Sequence, residues 1–151
     1  MKKLNVKQAQ MSVGSGYPAP FDKPCAERRR WRLGDMAGLT QFGVNLLRLP
    51  KGAWSSQRHW HEAEDEFIYV VEGEVVLVTD AGEETLRAGE CAGFRAGDAN
   101  GHHLQNRSEH EAVILEIGTR NDEAESVTYP DIDLKYDGRT DRYLHRNGKP
   151  Y

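Results

Sequence analysis

The chain has 151 residues, a length that fits one domain able to bury roughly two thirds of its unfolded surface in a single core. Its 24 acidic and 20 basic residues give a formal charge of −4, which excludes a general attraction to nucleic acid or to an anionic membrane. The beginning of the chain lacks the apolar run of a signal peptide, and no stretch is apolar for long enough to form a membrane helix. We therefore expect a cytoplasmic protein.

Residues 1–35 mix glycine, proline and charged residues, which predicts an N-terminal arm with little regular structure. Four arginines surround Trp31 in the stretch 28–32. Such a stretch can be a nucleic-acid patch, but in a net acidic chain a solvated strand or loop edge is favoured.

Residues 36–120 show the pattern of short strands at the spacing typical of β-sandwiches and barrels, with no competing helical periodicity. About eight strands are predicted, at 42–49, about 56–61, 66–71, 75–79, 84–87, 91–94, 102–106 and 112–117. The polar segment 121–151 carries four tyrosines and predicts an irregular C-terminal arm, tied down by those rings over the barrel or a dimer partner. The chain is therefore interpreted as a single all-β domain with two arms.

The two cysteines, Cys25 and Cys91, belong to no Cys-x-x-Cys pair and are predicted to be reduced, free thiols. Cys91 lies between the histidine-rich stretches, where its thiol could act as a metal ligand or a nucleophile. A buried structural thiol is favoured, because no activating partner is identifiable.

A candidate metal site begins at His59 and His61, whose side chains point to one face of an extended strand. Glu66 opens the next strand, after a connection of acidic residues that we interpret as solvated. Two adjacent residues, His102 and His103, could each supply a third imidazole. On a strand their side chains must point to opposite faces, so only one of them can join the site. Imidazole and carboxylate ligands together suit Zn, Fe, Mn, Ni or Cu.

The segment 52–73 reads G-x6-H-x-H-x4-E-x6-G, which resembles the first conserved motif of the cupins. The segment 89–106 is similar to the second, G-x5-P-x-G-x2-H-x3-N, with Arg95 in the place of the proline and two extra residues before His102. Of the two neighbouring histidines, only His102 keeps the spacing to Asn106. The resemblance implies a double-stranded β-helix, or jelly-roll barrel, and one divalent ion held by His59, His61, Glu66 and His102.

The segments 38–45 and 129–134 resemble small single-domain bacterial cupins that are described as similar to sugar-phosphate isomerases, and this resemblance covers most of residues 17–151. It implies an enzyme in which a pocket base moves a proton while Lys51 or Arg95 holds a phosphate. The sequence does not identify that base. Gln57 shares strand parity with His59 and is predicted to line the pocket.

Two other functions fit the same ligands. An Fe(II) dioxygenase would use the two positions that three histidines and one carboxylate leave open on an octahedral ion. A binding module without catalysis would hold a small acid or sugar. A homodimer is expected in each case, because Trp60, Phe67, Tyr69 and Val71 are predicted to leave an apolar sheet face uncovered.

Overall fold

The structure, a computed structural model, describes residues 3–121 and 123–151. Within these ranges the chain forms thirteen β-strands and one short α-helix, α1 (Leu33–Ala37), besides two 3-10 turns. The strands are β1 (Met11–Val13), β2 (Arg29–Arg32), β3 (Phe42–Leu49), β4 (Trp60–His61), β5 (Glu66–Glu72), β6 (Glu74–Thr79), β7 (Gly82–Arg87), β8 (Cys91–Phe94), β9 (His103–Gln105), β10 (Ala112–Thr119), β11 (Ser126–Tyr129), β12 (Leu134–Asp137) and β13 (Arg142–Leu144).

The strands form three antiparallel sheets that together make the predicted all-β barrel. One sheet has the strand order β1-β2-β3-β10-β5-β8, the second β7-β6-β9, and the third β13-β12-β11-β4. An isolated bridge between His59 and His102 connects the histidine stretch ahead of β4 to the residues ahead of β9. The second and third sheets therefore meet at the two histidines.

The hydrophobic core lies between the first and second sheets, because each contributes one face of alternating apolar residues. In β5, Ile68 and Val70 are buried, whereas the alternate residues Phe67, Tyr69 and Val71 are 40%, 41% and 49% exposed. Each fully buried aliphatic side chain stabilises the fold by about 1.5–3 kcal/mol. The core comprises Leu47, Leu49, Ala53, Ile68, Val70, Val75, Leu77, Leu86, Leu104, Ala112 and Ile114.

The turn from β5 to β6 requires a glycine. Gly73 has φ of 78°, and a Cβ at this position would lie 2.9 Å from the carbonyl oxygen of Glu111. Any other residue would be strained by its backbone conformation and by this contact. The turn carries the chain from β5 in the first sheet to β6 in the second.

Both arms carry more regular structure than the sequence predicts. The N-terminal arm adds β2 to the edge of β3 and β1 to β2, and the C-terminal arm forms the meander β11-β12-β13. Aromatic residues from the two arms pack together, as expected of the tyrosines. This second cluster comprises Val127, Tyr129 and Leu134, with Tyr17, Phe21, Ile132, Tyr136 and Tyr143 packed against them.

Three local predictions are wrong. The histidine strand is shorter than 56–61, since only Trp60–His61 has strand structure. Arg28 is 8% exposed, so the arginine stretch is not wholly a solvated edge. Cys91 is exposed on the outer face of β8, although Cys25 is buried and both are free.

Among the described residues, no helix is long and apolar enough to cross a lipid bilayer.

Candidate metal centre

Four side chains predicted as metal ligands converge at the meeting point of the sheets. His61 lies in β4 and Glu66 begins β5. The backbones of His59 and His102 exchange two hydrogen bonds, with N···O distances of 3.1 and 2.8 Å. This exchange places the two histidines directly opposite each other and turns both imidazoles toward the Glu66 carboxylate.

The donor atoms of His59, His61 and Glu66 form a close group that could hold one metal ion, and His102 contacts this group through Glu66. Nε2 of His59 and Nε2 of His61 are 3.1 Å apart, and they lie 3.5 and 3.3 Å from Oε2 of Glu66. Nε2 of His102 lies 2.7 Å from the same oxygen. Two ligands at about 2.1 Å from an ion and at right angles are about 3 Å apart, so the donor set fits a divalent ion.

The imidazoles of His59 and His61 are oriented by contacts at Nδ1. His59 Nδ1 lies 2.9 Å from the backbone oxygen of Gln57 and 3.3 Å from Oγ of Ser56. Because a carbonyl oxygen only accepts hydrogen bonds, this nitrogen must carry the proton. The lone pair of neutral His59 is therefore on Nε2, which points at the cluster.

Glu125 orients the second histidine and was not identified from the sequence. Its Oε1 lies 3.1 Å from Nδ1 of His61, and its Oε2 accepts a hydrogen bond of 3.3 Å from the backbone N–H of Ala63. The residue is only 5% exposed. His61, Glu64 and Glu125 form a second close group of possible ligand atoms. Since Glu125 contacts the nitrogen that faces away from the cluster, we interpret it as the orienting partner of His61.

The electrostatics of the cluster favour a charged carboxylate. Burial raises the pKa of Glu66, but hydrogen bonds from His102, His59 and His61 outweigh burial and hold this pKa well below its usual range. Burial lowers the pKa of His61, but its hydrogen bonds to Glu125 and Glu66 raise it to about 10. Burial lowers the pKa of His102.

The structure brings His102, and not His103, to the Glu66 carboxylate. The ring of His102 stacks on Phe94, with centroids 3.6 Å apart and planes 1° from parallel. The ring nitrogens of His103 contact other groups. Nδ1 is 3.0 Å from the backbone oxygen of Ser56, and Nε2 is 3.0 Å from the side-chain nitrogen of Gln105. The register slip that would exchange the two histidines is absent.

Two cavities adjoin the cluster, one on each side. The inner cavity has a volume of about 240 Å³ and is lined by Tyr17, Arg28, Arg30, Ser55, Ser56, His59, His61, Glu66, Ile68, Phe94, His102, His103, Leu104, Glu116, Val127, Tyr129, Tyr136 and Tyr143. The outer cavity has a volume of about 220 Å³ and is lined by Trp60, His61, Glu64, Leu77, Thr79, Ala92, Gly93, Phe94, Arg95, Asp98, Asn100 and His102. Both volumes lie below the roughly 300–1,000 Å³ typical of pockets for drug-sized ligands, so each cavity admits only a small molecule.

Of the pocket residues predicted from the sequence, only Arg95 lines either cavity, on the outer side. Lys51 is instead ion-paired with Glu109 at 2.7 Å. Gln57 donates a hydrogen bond of 2.7 Å to the backbone oxygen of Phe21, because the chain before His59 bends and the assumed strand parity fails.

Arg28 and Arg30 are the cationic residues of the inner cavity, and the sequence analysis did not assign them to it. Arg30 pairs with Glu116, with Nε 2.8 Å from Oε2. The alternation of the arginines along β2 was a usable signal, because residues two apart in a strand share a face. The solvated edge is favoured from sequence alone, because charged residues usually face solvent.

Comparison with known proteins agrees with this architecture. Residues 45–118 match the family model described as the cupin domain. A crystal structure described as a sugar phosphate isomerase of the cupin superfamily from Silicibacter pomeroyi is 42% identical, covers 99% of this chain and 96% of its own, and superposes with a TM-score of 0.92. The chain therefore belongs to the cupin superfamily, as the motifs predict.

Other structures are less similar. A candidate sugar phosphate isomerase from Acidithiobacillus ferrooxidans is 29% identical over 78% of this chain and 74% of its own, with a TM-score of 0.72. A polyketide cyclase from Streptomyces resistomycificus is 21% identical over 79% of each chain, with a TM-score of 0.62, and shares the fold alone. Among proteins of curated function, none matches the chain.

Proposed function

We propose that this protein is a metal-dependent enzyme that isomerises a small sugar phosphate. The observation that carries the proposal is the convergence of His59, His61 and Glu66, with His102 on the same carboxylate oxygen, beside a cavity of small-molecule size. The similarity over 99% of the chain to a structure described as a sugar phosphate isomerase supports the choice of reaction.

The four side chains would hold one divalent ion, which when bound supplies a Lewis acid for a carbonyl or hydroxyl oxygen. Gln57 and Glu125 would keep the two histidine rings in place through their Nδ1 atoms. Phe94 would fix the plane of His102 and shield it from water on one face. These contacts preorganise the ligands, so little rearrangement is needed on binding.

A titratable group other than the ligands lies in the same cavity. Glu116 projects from β10 into the inner cavity, where its two oxygens contact Nε and Nη2 of Arg30 at 2.8 and 3.1 Å. We assign this carboxylate the role of the base that moves a proton between adjacent carbons of a bound sugar, because it lines the same cavity as the candidate ligands. Its presence favours an enzyme over a module that only binds.

Elemental analysis of protein purified without a metal-binding tag, followed by NMR in deuterated water with a panel of aldose and ketose phosphates, tests the proposal. We expect one divalent ion per chain and exchange of one substrate C–H for C–D together with interconversion. Iron with oxygen consumption would instead indicate a dioxygenase. Saturable sugar-phosphate binding without exchange or interconversion would indicate a binding module.

A further inference from the structure

Arg28 is a buried arginine that has no carboxylate partner among the described residues. The residue is 8% exposed. Its Nε donates a hydrogen bond of 2.9 Å to the backbone oxygen of Gly14, and its Nη1 donates to the backbone oxygen of Ser55. Within the described ranges, no carboxylate forms an ion pair with Arg28. Burial and the nearby charge of Arg30 lower its pKa.

The neighbouring arginine shows how a cation is normally accommodated in this cavity. Arg30 contacts both oxygens of Glu116, so its charge is compensated. A buried charge without such a partner costs free energy, which an anionic ligand would recover on binding. With Arg30 paired to Glu116, Arg28 is the guanidinium of the inner cavity that an anion can use.

Tyrosine hydroxyls surround the same end of the cavity. The ring of Tyr17 packs against those of Tyr129 and Tyr143 at centroid distances of 5.6 and 5.5 Å, and all three line the inner cavity with Arg28. The charge of Arg28 lowers the pKa of Tyr17 and Tyr143, although burial outweighs it. Burial raises the pKa of all three, so the hydroxyls stay protonated at neutral pH. Protonated phenols can each donate a hydrogen bond to an anion.

This end of the cavity is connected to the candidate metal centre through packed side chains. The ring of Tyr129 lies 5.8 Å from the ring of His59, centroid to centroid. The Ser55 carbonyl that Arg28 contacts immediately precedes Ser56, whose Oγ is 3.3 Å from Nδ1 of His59. A ligand in the inner cavity would therefore meet the arginine and the phenols as well as the candidate metal ligands, since all of them line it.

We infer that Arg28, with Tyr17 and Tyr143, forms a subsite for the phosphate group of the substrate inside the inner cavity. The choice of phosphate rests on the proposed function. A guanidinium and hydroxyl donors are the groups that recognise phosphate by charge-assisted hydrogen bonds. The subsite replaces Lys51 and Arg95 in this role, since Lys51 is paired outside both cavities and Arg95 is an exposed residue of the outer one.

Calorimetric titration with inorganic phosphate tests the subsite in wild type and in Arg28→Met, each with and without bound metal. We expect Arg28→Met to bind phosphate about tenfold more weakly or worse in both forms, the loss of one charge-assisted hydrogen bond or more. Arg29→Met is the matched control, because Arg29 follows Arg28 directly, begins β2 and pairs with Glu111 through a side chain that is 41% exposed. Wild-type affinity in Arg28→Met, or an equal loss in Arg29→Met, would overturn the assignment.

A second measurement does not depend on a variant that folds. In the wild-type protein, phosphate should shift the backbone amide NMR signals of Gly14, Arg28 and Ser55. Shifts confined to the outer-cavity loop 95–100, or no shifts at all, would overturn the subsite. Phosphate binding at Arg28 without isomerase activity would leave the subsite standing and reject the proposed reaction, whereas activity with unchanged phosphate binding in Arg28→Met would reject the subsite alone.

Discussion

Oε1 of Glu125 lies 3.1 Å from Nδ1 of His61, so a carboxylate from the C-terminal arm orients a histidine of the barrel. The two residues belong to neighbouring strand regions, because β4 and β11 pair through Val127 and His61. A contact of this kind fixes the tautomer and rotation of a ligand ring and increases its basicity.

We expect Glu125→Gln to weaken metal binding by about 10- to 100-fold without unfolding the chain, because the amide keeps the shape of the side chain but loses its charge. Competition with a fluorescent chelator measures the affinity. Glu123→Gln, at an exposed acid two residues away, is the control and should bind metal as wild type does. An unchanged affinity in Glu125→Gln would show that His61 is held by the barrel alone.

Substitution of each of the two adjacent histidines distinguishes the candidate ligand, His102, from its neighbour, His103. His102→Ala should strongly reduce metal content after dialysis against a weak chelator, because it removes a donor that lies at the Glu66 carboxylate. His103→Ala should keep stoichiometry near wild type, since its nitrogens contact Ser56 and Gln105 instead. Retention by His102→Ala with loss by His103→Ala would reverse the assignment.

Glu116→Gln tests the candidate base. We expect the rate of isomerisation to fall by about 10²- to 10⁴-fold, as for the loss of a general base, with metal content unchanged. Glu111→Gln is the control, since Glu111 also pairs with an arginine of β2, but on the outer face through Arg29. A rate close to wild type in Glu116→Gln would remove this residue from the chemistry.

The two cysteines should differ in reactivity while both remain reduced. Under denaturing conditions, thiol titration should give two thiols per chain, because both cysteines are free in the structure. In the native state only exposed Cys91 should react quickly, because Cys25 is fully buried and burial raises the pKa of its thiol. Fewer than two thiols in fresh denatured protein would contradict this expectation.

A homodimer through the outer face of β5 remains our proposal. Phe67, Tyr69 and Val71 are exposed there, as predicted, whereas Trp60 lines the outer cavity and does not belong to this face. Static light scattering should give a dimer at micromolar concentration, and Tyr69→Asp should shift it toward monomer. Val13→Asp, at an exposed apolar residue of β1, is the control. A wild-type monomer would contradict the proposal.

Strand alternation was sufficient to predict much of the barrel. The bounds predicted for β3 and β8 agree with the structure, and residue parity placed His102 ahead of His103 at the cluster. These features depend on neighbours in sequence. Cys91 was misplaced because its side of β8 continues the exposed face of β5, where it pairs with Tyr69.

The residues that the sequence missed depend on long-range packing. Glu125 meets His61 across 64 residues of sequence, and no local pattern marks that contact. Arg30 in β2 and Arg28 just before it line a polar cavity, where the usual rule that charge faces water does not apply. The residues that line a polar barrel interior therefore cannot be predicted from hydropathy.

The family match covers residues 45–118, which contain the four candidate ligands but neither Arg28 nor Glu125. A protein truncated to that segment would keep the four candidate metal ligands. It would lose Arg28 from the lining of the inner cavity and Glu125, which contacts the His61 ring. Related chains with different arms could present the same ion to other molecules. Under the proposed function, the metal donors and the phosphate subsite are encoded in separate stretches of sequence and can diverge independently.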